Sequence, residues 1–170
     1  MSQPAAPFTV EQVPVSRTLA LRHAVLRPHQ RFEEAAMAGD DDPATVAFAA
    51  LDADGTVLAV GRLHQEAPPF AAADLDPPVP PEPTGWRLRG MASRPDRRRA
   101  GLGSAVLQAA IDHVAASGGG LLWCNARLAA RNLYRRAGFQ DVGAVWEEPV
   151  IGPHVAMWRW VEGRPPPADR

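Results

Sequence analysis

The stretch Leu88-Arg89-Gly90-Met91-Ala92-Ser93-Arg94-Pro95-Asp96-Arg97-Arg98-Arg99-Ala100-Gly101-Leu102-Gly103-Ser104 decides how this chain folds. An apolar-flanked strand runs into a proline and three arginines, and two glycines one residue apart then open a long helical pattern. Glycine lets a backbone turn tightly and approach a ligand, because no Cβ holds it away. The first amides of a helix lack intrahelical partners, and the macrodipole favours an anion there. The layout therefore suits a phosphate, with Arg97, Arg98 and Arg99 adding charge. Gly-x-Gly also opens dinucleotide-binding folds, but the third glycine of that fingerprint is replaced by Val106. A phosphate loop needs Gly-Lys-Ser/Thr, which is missing here. The plain alternative is a tight strand-to-helix turn with a solvated arginine run.

Downstream of this stretch, Gly103 to Ser117 carries apolar rows (Leu102, Val106, Ala109 and Ala110, with Leu107, Ile111 and Val114) and reads as the best helix of the chain. Gly118-Gly119-Gly120 stops it. Leu121 to Asn125 is a short apolar strand of the kind buried in a parallel pair after a crossover helix. A second helix spans Leu128 to Ala137, with Gly138 at its C′ position. Val142 to Val150 and His154 to Val161 read as two last strands joined through Ile151-Gly152-Pro153.

Upstream, Phe8 to Val13 reads as a strand. Ser16 is the expected N-cap of a helix ending before Pro28, with Leu19, His23 and Leu26 on one stripe. The carboxylates between Gln30 and Pro43, including Asp40-Asp41-Asp42, read as solvated. Thr45 to Leu51 and Thr56 to His64 form a hairpin across Asp52-Ala53-Asp54-Gly55. Ala67 to Pro83 is too rich in proline for a ladder or helix and reads as a surface excursion. The order β-α-β-β-β-α-β-α-β-β predicts a mixed α/β fold.

The 170 residues, 46% hydrophobic, suffice for one buried core, so the expectation is a single domain over 8–161 with disordered tails at 1–7 and 163–170. A net charge of −1 argues against a nucleic-acid or membrane-surface binder. One cysteine, no signal-peptide core and no bilayer-length apolar run suggest a reducing, cytoplasmic setting. The five histidines lack metal-ligand spacing, so no metal is expected.

Arg98-Arg99-Ala100-Gly101-Leu102-Gly103 resembles the Gln/Arg-x-x-Gly-x-Gly/Ala acyl-CoA motif of the GCN5-related N-acetyltransferase (GNAT) superfamily. Asn125-Ala126-Arg127, with Ala130 and Tyr134-Arg135-Arg136-Ala137-Gly138-Phe139, resembles its second signature. The resemblance runs from Phe8 to Val161. It implies a seven-stranded mixed sheet whose fourth and fifth strands splay apart to receive acetyl-CoA. It also implies an enzyme that moves the acetyl group to an amine of a small molecule in a ternary complex. The alternative is a non-catalytic acyl-CoA-binding or sensing module.

By position, the amides from Arg98, Arg99, Ala100, Gly101, Leu102, Gly103 and Ser104 would hold the pyrophosphate. Main chain at Met91 and Ser93 would hold the pantetheine arm, and an N–H at Met91 or Ala92 would face the thioester oxygen. Tyr134 matches the general acid for the departing thiolate, with structural packing as its alternative role. Asn125 belongs to the cofactor set. Arg131, with Arg127 and Arg135, lies on one helix face that could meet the 3′-phosphate or simply be solvated. The general base is open among His154, His64, Glu33 and Glu147. His154 is favoured for its turn-like setting in Ile151-Gly152-Pro153-His154, near the expected acceptor mouth. Arg87 and Arg89 alternate on one side of their strand, to meet either an acceptor anion or a buried Glu or Asp. The final strands could pair two copies into a homodimer.

Overall fold

The computed structural model describes residues 7–81 and 85–165. Seven strands form one mixed sheet flanked by helices, in the order β1-β2-β3-β4-β5-β7-β6. In chain order these are β1 (Thr9–Val13), α1 (Leu19–Leu26), β2 (Val46–Leu51), β3 (Val57–Gln65), β4 (Trp86–Ser93), α2 (Leu102–Ala116), β5 (Gly119–Arg127), α3 (Arg131–Arg136), β6 (Gln140–Glu148) and β7 (Gly152–Glu162). The predicted element order is recovered. β4 and β5 form the parallel pair, with Trp86 opposite Leu122 and Arg87 opposite Trp123 at the N-terminal end of β4.

The chain divides into two compact units, one built from the residues up to Leu63 with Gly90–Ala109 and the other from His64–Arg89 with Ala110 onward. In the first, β1 pairs with β2 and β2 with β3, all antiparallel. The β2–β3 turn is the expected one, with Gly55 at φ +78° and Asp52 Oδ1 accepting the Asp54 and Thr56 amides at 3.0 and 2.9 Å. Val13, Ala47, Ala49, Leu51, Val60 and Ala92 form its core, with Leu21, Val25 and Leu26 of α1 packed against them. Ser16 does not cap α1. The chain enters through a 3-10 turn, Val15–Thr18, whose own bonds occupy the first amides, so the helix starts with no side-chain cap.

In the second unit, β5 pairs antiparallel with β7, and β7 with β6. The triple glycine does more than stop α2. Gly119 already belongs to β5, and a Cβ there would lie 2.4 Å from the Val161 carbonyl oxygen and the Gly163 amide. Close approach of two strands therefore requires it. The proline-rich segment runs over the surface, mostly exposed, and also packs on the sheet through Leu75; residues 82 and 83 of that reading lie outside the described residues. Leu75 is buried with Leu121, Trp123 and Trp158, and Phe70 and Val79 pack beside them. Burying an apolar side chain of that size contributes about 1.5–3 kcal/mol, which outweighs the segment's poor ladder propensity. Of the tails expected to be disordered, 1–6 and 166–170 lie outside the described residues. Arg164 is tied to α2 by its amide, which donates to the Ala115 carbonyl at 2.8 Å.

Candidate acyl-CoA site and its catalytic residues

Between β4 and α2 the backbone alternates in hand. A 3-10 turn at Pro95–Arg97 leads into extended Arg98 (φ −61°, ψ 151°). Arg99 then turns left-handed at φ +67° and Gly101 at φ +76°. Such alternation curls successive amides toward one point, a concavity suited to an anion. The concavity opens onto the first turn of α2, where Leu102, Gly103 and Ser104 have no carbonyl one turn back; the first such bond is Ala105 N–H to Gly101 O, at 3.0 Å. A Cβ on Gly101 would meet nothing within 4 Å, so its φ, rather than crowding, selects glycine. Arg99 has no such excuse, and its left-handed φ costs about 1–2 kcal/mol. Among the described residues the Arg98 and Arg99 side chains have no ion pair, whereas Arg94 is matched by Asp96 at 2.9 Å. Unspent amides and two unpaired guanidiniums fit a pyrophosphate.

Within the second unit, Asn125 is the exposed residue in a run of buried ones on β5, opposite Ala156 of β7. Tyr134 of α3 is 5% exposed, its ring edge-on to Phe139 at 5.5 Å. Two amides on its carbonyl, Ala137 at 2.9 Å and Phe139 at 3.1 Å, fix the turn that carries it into Gly138. Among the described residues its hydroxyl has no hydrogen-bond partner. Burial, with the neighbouring Cys124, pushes the phenol well above its ordinary value of 10.0. Cys124 is itself buried, and burial pushes its thiol up, away from a reactive thiolate.

Arg131 and Arg135 share Asp141, which burial would raise only in part; the Arg131 hydrogen bond dominates and holds its carboxyl below the ordinary 3.8. Their helix face is thus partly neutralised from within.

His154 is not in a turn. It lies inside β7, opposite Arg127 of β5 and Trp146 of β6, because the reversal falls earlier, between Glu148 and Gly152. Its ring stacks on Trp146 at 5.7 Å, and Nδ1 meets the Gly152 carbonyl at 2.8 Å. A carbonyl only accepts, so Nδ1 carries the proton and Nε2 is left as the basic nitrogen. Glu147 pairs in register with Pro153, one residue along, and so projects to the opposite face. His64 is engaged otherwise, with Nε2 on Glu66 at 2.8 Å, and Glu33 is exposed in a 3-10 turn, Phe32–Glu34.

Arg87 pairs with a carboxylate of its own chain, though an exposed one, Glu66. Its Nη1 donates to both Glu66 oxygens, at 2.8 and 3.1 Å, and its guanidinium lies 4.8 Å from the Trp123 ring centre. Glu66 was not foreseen; it stands at the end of β3, 21 residues from its partner. Arg22, Asp40 and Arg62 were also missed. Asp40, read as solvated, is 12% exposed and receives Arg22 and Arg62, both buried. The available signal was an arginine inside each apolar pattern, at position 22 of the helix stripe and position 62 of the strand.

The family model for the Acetyltransferase (GNAT) family matches residues 15–139, more than half of the chain. The chain belongs to that family. This GNAT protein is an acyl-CoA-dependent N-acetyltransferase, with acetyl-CoA as co-substrate. It is 29% identical over 150 residues to YitI of Bacillus subtilis, described as an uncharacterized N-acetyltransferase, covering 88% of this chain and 94% of that protein. Its fold is shared with the ribosomal-protein-S18-alanine N-acetyltransferase of Escherichia coli (TM-score 0.67, 16% identity, 96% of this chain and 100% of the other). An aminoglycoside 6′-N-acetyltransferase complexed with coenzyme A is similar too (TM-score 0.66, 14% identity, 93% and 99%). No helix among the described residues is long and apolar enough to cross a membrane.

Proposed function

We propose that this GNAT enzyme acetylates a primary amine of a small molecule by direct attack in a ternary complex, with Tyr134 as general acid and His154 as general base. Acetyl-CoA supplies a thioester whose carbon a neutral amine can attack, with CoA leaving as a thiolate. The amides of 98–104 hold the pyrophosphate, Met91 and Ser93 the pantetheine arm, and Met91 or Ala92 gives an N–H to the thioester oxygen. Asn125 and Arg131 complete the cofactor set.

The observation that carries the reading is the Tyr134 hydroxyl, which sits on a ring residue only 5% exposed and is bonded to no other described residue. A hydroxyl that spends its proton on no protein acceptor keeps it available for a leaving thiolate. Its raised pKa keeps the phenol protonated at every working pH. A thiolate leaving into the same low-dielectric surroundings has its proton affinity raised as well, so the two remain matched for transfer. His154 supports the other half of the reaction, since its fixed tautomer leaves Nε2 free to take the ammonium proton.

The test is thiol release from acetyl-CoA across amines, amino acids and peptides, with pH profiles for the parent and His154→Gln. Turnover of a small amine, with an ascending limb that changes in His154→Gln, is the expected result. Binding of acetyl-CoA without turnover of any acceptor would refute the catalytic roles. Turnover confined to peptides would refute the small-molecule acceptor.

A further inference from the structure

Gly90 stands in the middle of β4 with φ +66°, so the strand kinks one residue before Met91. Behind the kink lies Arg22 of α1: a Cβ on Gly90 would come within 3.2 Å of both its Cδ and Nε. Arg22 is 1% exposed. Its Nη1 donates to Thr18 Oγ1 and Asp40 Oδ1, each at 3.2 Å, and its Nη2 to Asp40 Oδ2 at 2.9 Å and the Ala35 carbonyl at 3.2 Å. Asp40 also accepts the Met37 amide at 2.8 Å and meets Arg62 Nε at 2.8 Å. Arg62 is fully buried and gives Nη2 to the Ala38 carbonyl. Two buried guanidiniums thus share one carboxylate. Arg22 Nε alone among that residue's nitrogens has no partner, and it is the nitrogen that faces Gly90. A buried donor left open in this way calls for a reason.

We propose that Arg22 is a positioning and polarising residue for acyl transfer: it braces the β4 kink and holds a positive charge behind the peptide whose amide, at Met91 or Ala92, receives the thioester oxygen. The inference rests on the reading of those two amides given above. A fixed charge in a low-dielectric interior acts on a developing oxyanion without reorganisation, and the bonds at Thr18, Ala35 and Asp40 supply that fixity. Asp40 stays ionised and so keeps Arg22 in place. Burial alone would raise its carboxyl, but hydrogen bonding and charge from the arginines hold it below 3.8. Arg22 touches no reacting atom in this account and works through β4.

The experiment is isotope-edited infrared spectroscopy of [1-13C]acetyl-CoA bound to the parent enzyme, Arg22→Met, Arg22→Lys and Arg62→Met, with kcat, KM and acetyl-CoA affinity for each. In the parent, the bound carbonyl stretch is expected below its solution value. In Arg22→Met it moves back toward solution, and kcat falls about tenfold or more while acetyl-CoA affinity holds. Arg22→Lys, which keeps the charge, retains most of the shift. Arg62→Met removes the same charge from the cluster but leaves Arg22 against Gly90, and it also retains the shift. If Arg22→Met fails to fold, the neutral, hydrogen-bonding Arg22→Gln replaces it with the same expectation. A shift that persists in the neutral variant, or one lost equally in Arg62→Met, overturns the inference. Bound acetyl-CoA with no shift in the parent overturns the reading of Met91 and Ala92, and the inference with it.

Discussion

Tyr134→Phe separates catalysis from stability more sharply than any other single change. Phenylalanine keeps the ring, and with it the edge-on contact to Phe139 at 5.5 Å and the burial at 5% exposure. It removes a hydroxyl that bonds to no described residue. As no hydrogen bond between described residues is lost, stability should stay within about 1 kcal/mol of the parent. For a chain of this size that corresponds to roughly 2–4 °C in Tm per kcal/mol. Loss of a general acid costs about 10²–10⁴ in rate, so kcat should fall by at least about a hundredfold with acetyl-CoA affinity unchanged. Thermal melts, equilibrium binding of acetyl-CoA and thiol release on the same preparation read all three. A variant that loses more than about 1 kcal/mol while turning over normally would refute the reasoning, since the hydroxyl would then be structural. The raised phenol also fixes a sign. With a folded value above 10.0, the Tyr134 contribution to stability is complete below about pH 10 and is lost as pH rises beyond it.

Three more changes follow from backbone and charge. Gly90→Ala forces an L side chain into φ +66° with Arg22 atoms 3.2 Å from the new Cβ, and should cost about 1–3 kcal/mol by urea denaturation; an unmoved midpoint would show that the kink relaxes freely. Asp40→Asn leaves Arg22 and Arg62 buried without their anion, an expected loss of about 3–5 kcal/mol. Because the folded Asp40 value lies below 3.8, that stability is present above about pH 4 and disappears as pH falls through the folded value, so the gap between parent and variant should close in acid. Arg99→Gly releases the strain at φ +67° and should stabilise by about 1 kcal/mol while weakening acetyl-CoA binding; a gain in both would detach this arginine from the pyrophosphate.

The parts of the fold that could be read in the chain are those fixed by neighbours in sequence. Gly55 and Gly101 announce their turns because only a local φ is at stake, and α2 shows its buried row through spacing alone. Gly119 reads from sequence only as one of three glycines of a helix stop, because its second reason, contact with Val161 and Gly163, comes from more than forty residues away. Distance also hid the ion pairs. Alternation put Arg87 on a definite side of β4, but nothing near it in sequence named Glu66, and the run Asp40-Asp41-Asp42 gave no sign that its first member alone is drawn between two buried arginines. His154 was misplaced by a few residues for a related reason. Gly152-Pro153 looks like a turn, but Gly152 takes its φ of +101° as the first residue of β7.

Places where a sequence breaks its own local rules are where function is expected to compete with stability. Three such breaks stand out here: an arginine in the apolar stripe of α1, a glycine within β4, and a non-glycine residue at φ +67° before α2. Stability alone would put glycine at 99 and would not close an arginine with a spare N–H behind a strand. All three border the segment from Gly90 to Ser104 that is read as the acyl-CoA cradle. A strained arginine at 99 and an under-bonded one at 22, both beside a segment suited to a thioester and a phosphate, make the catalytic reading more economical than unrelated accidents of packing.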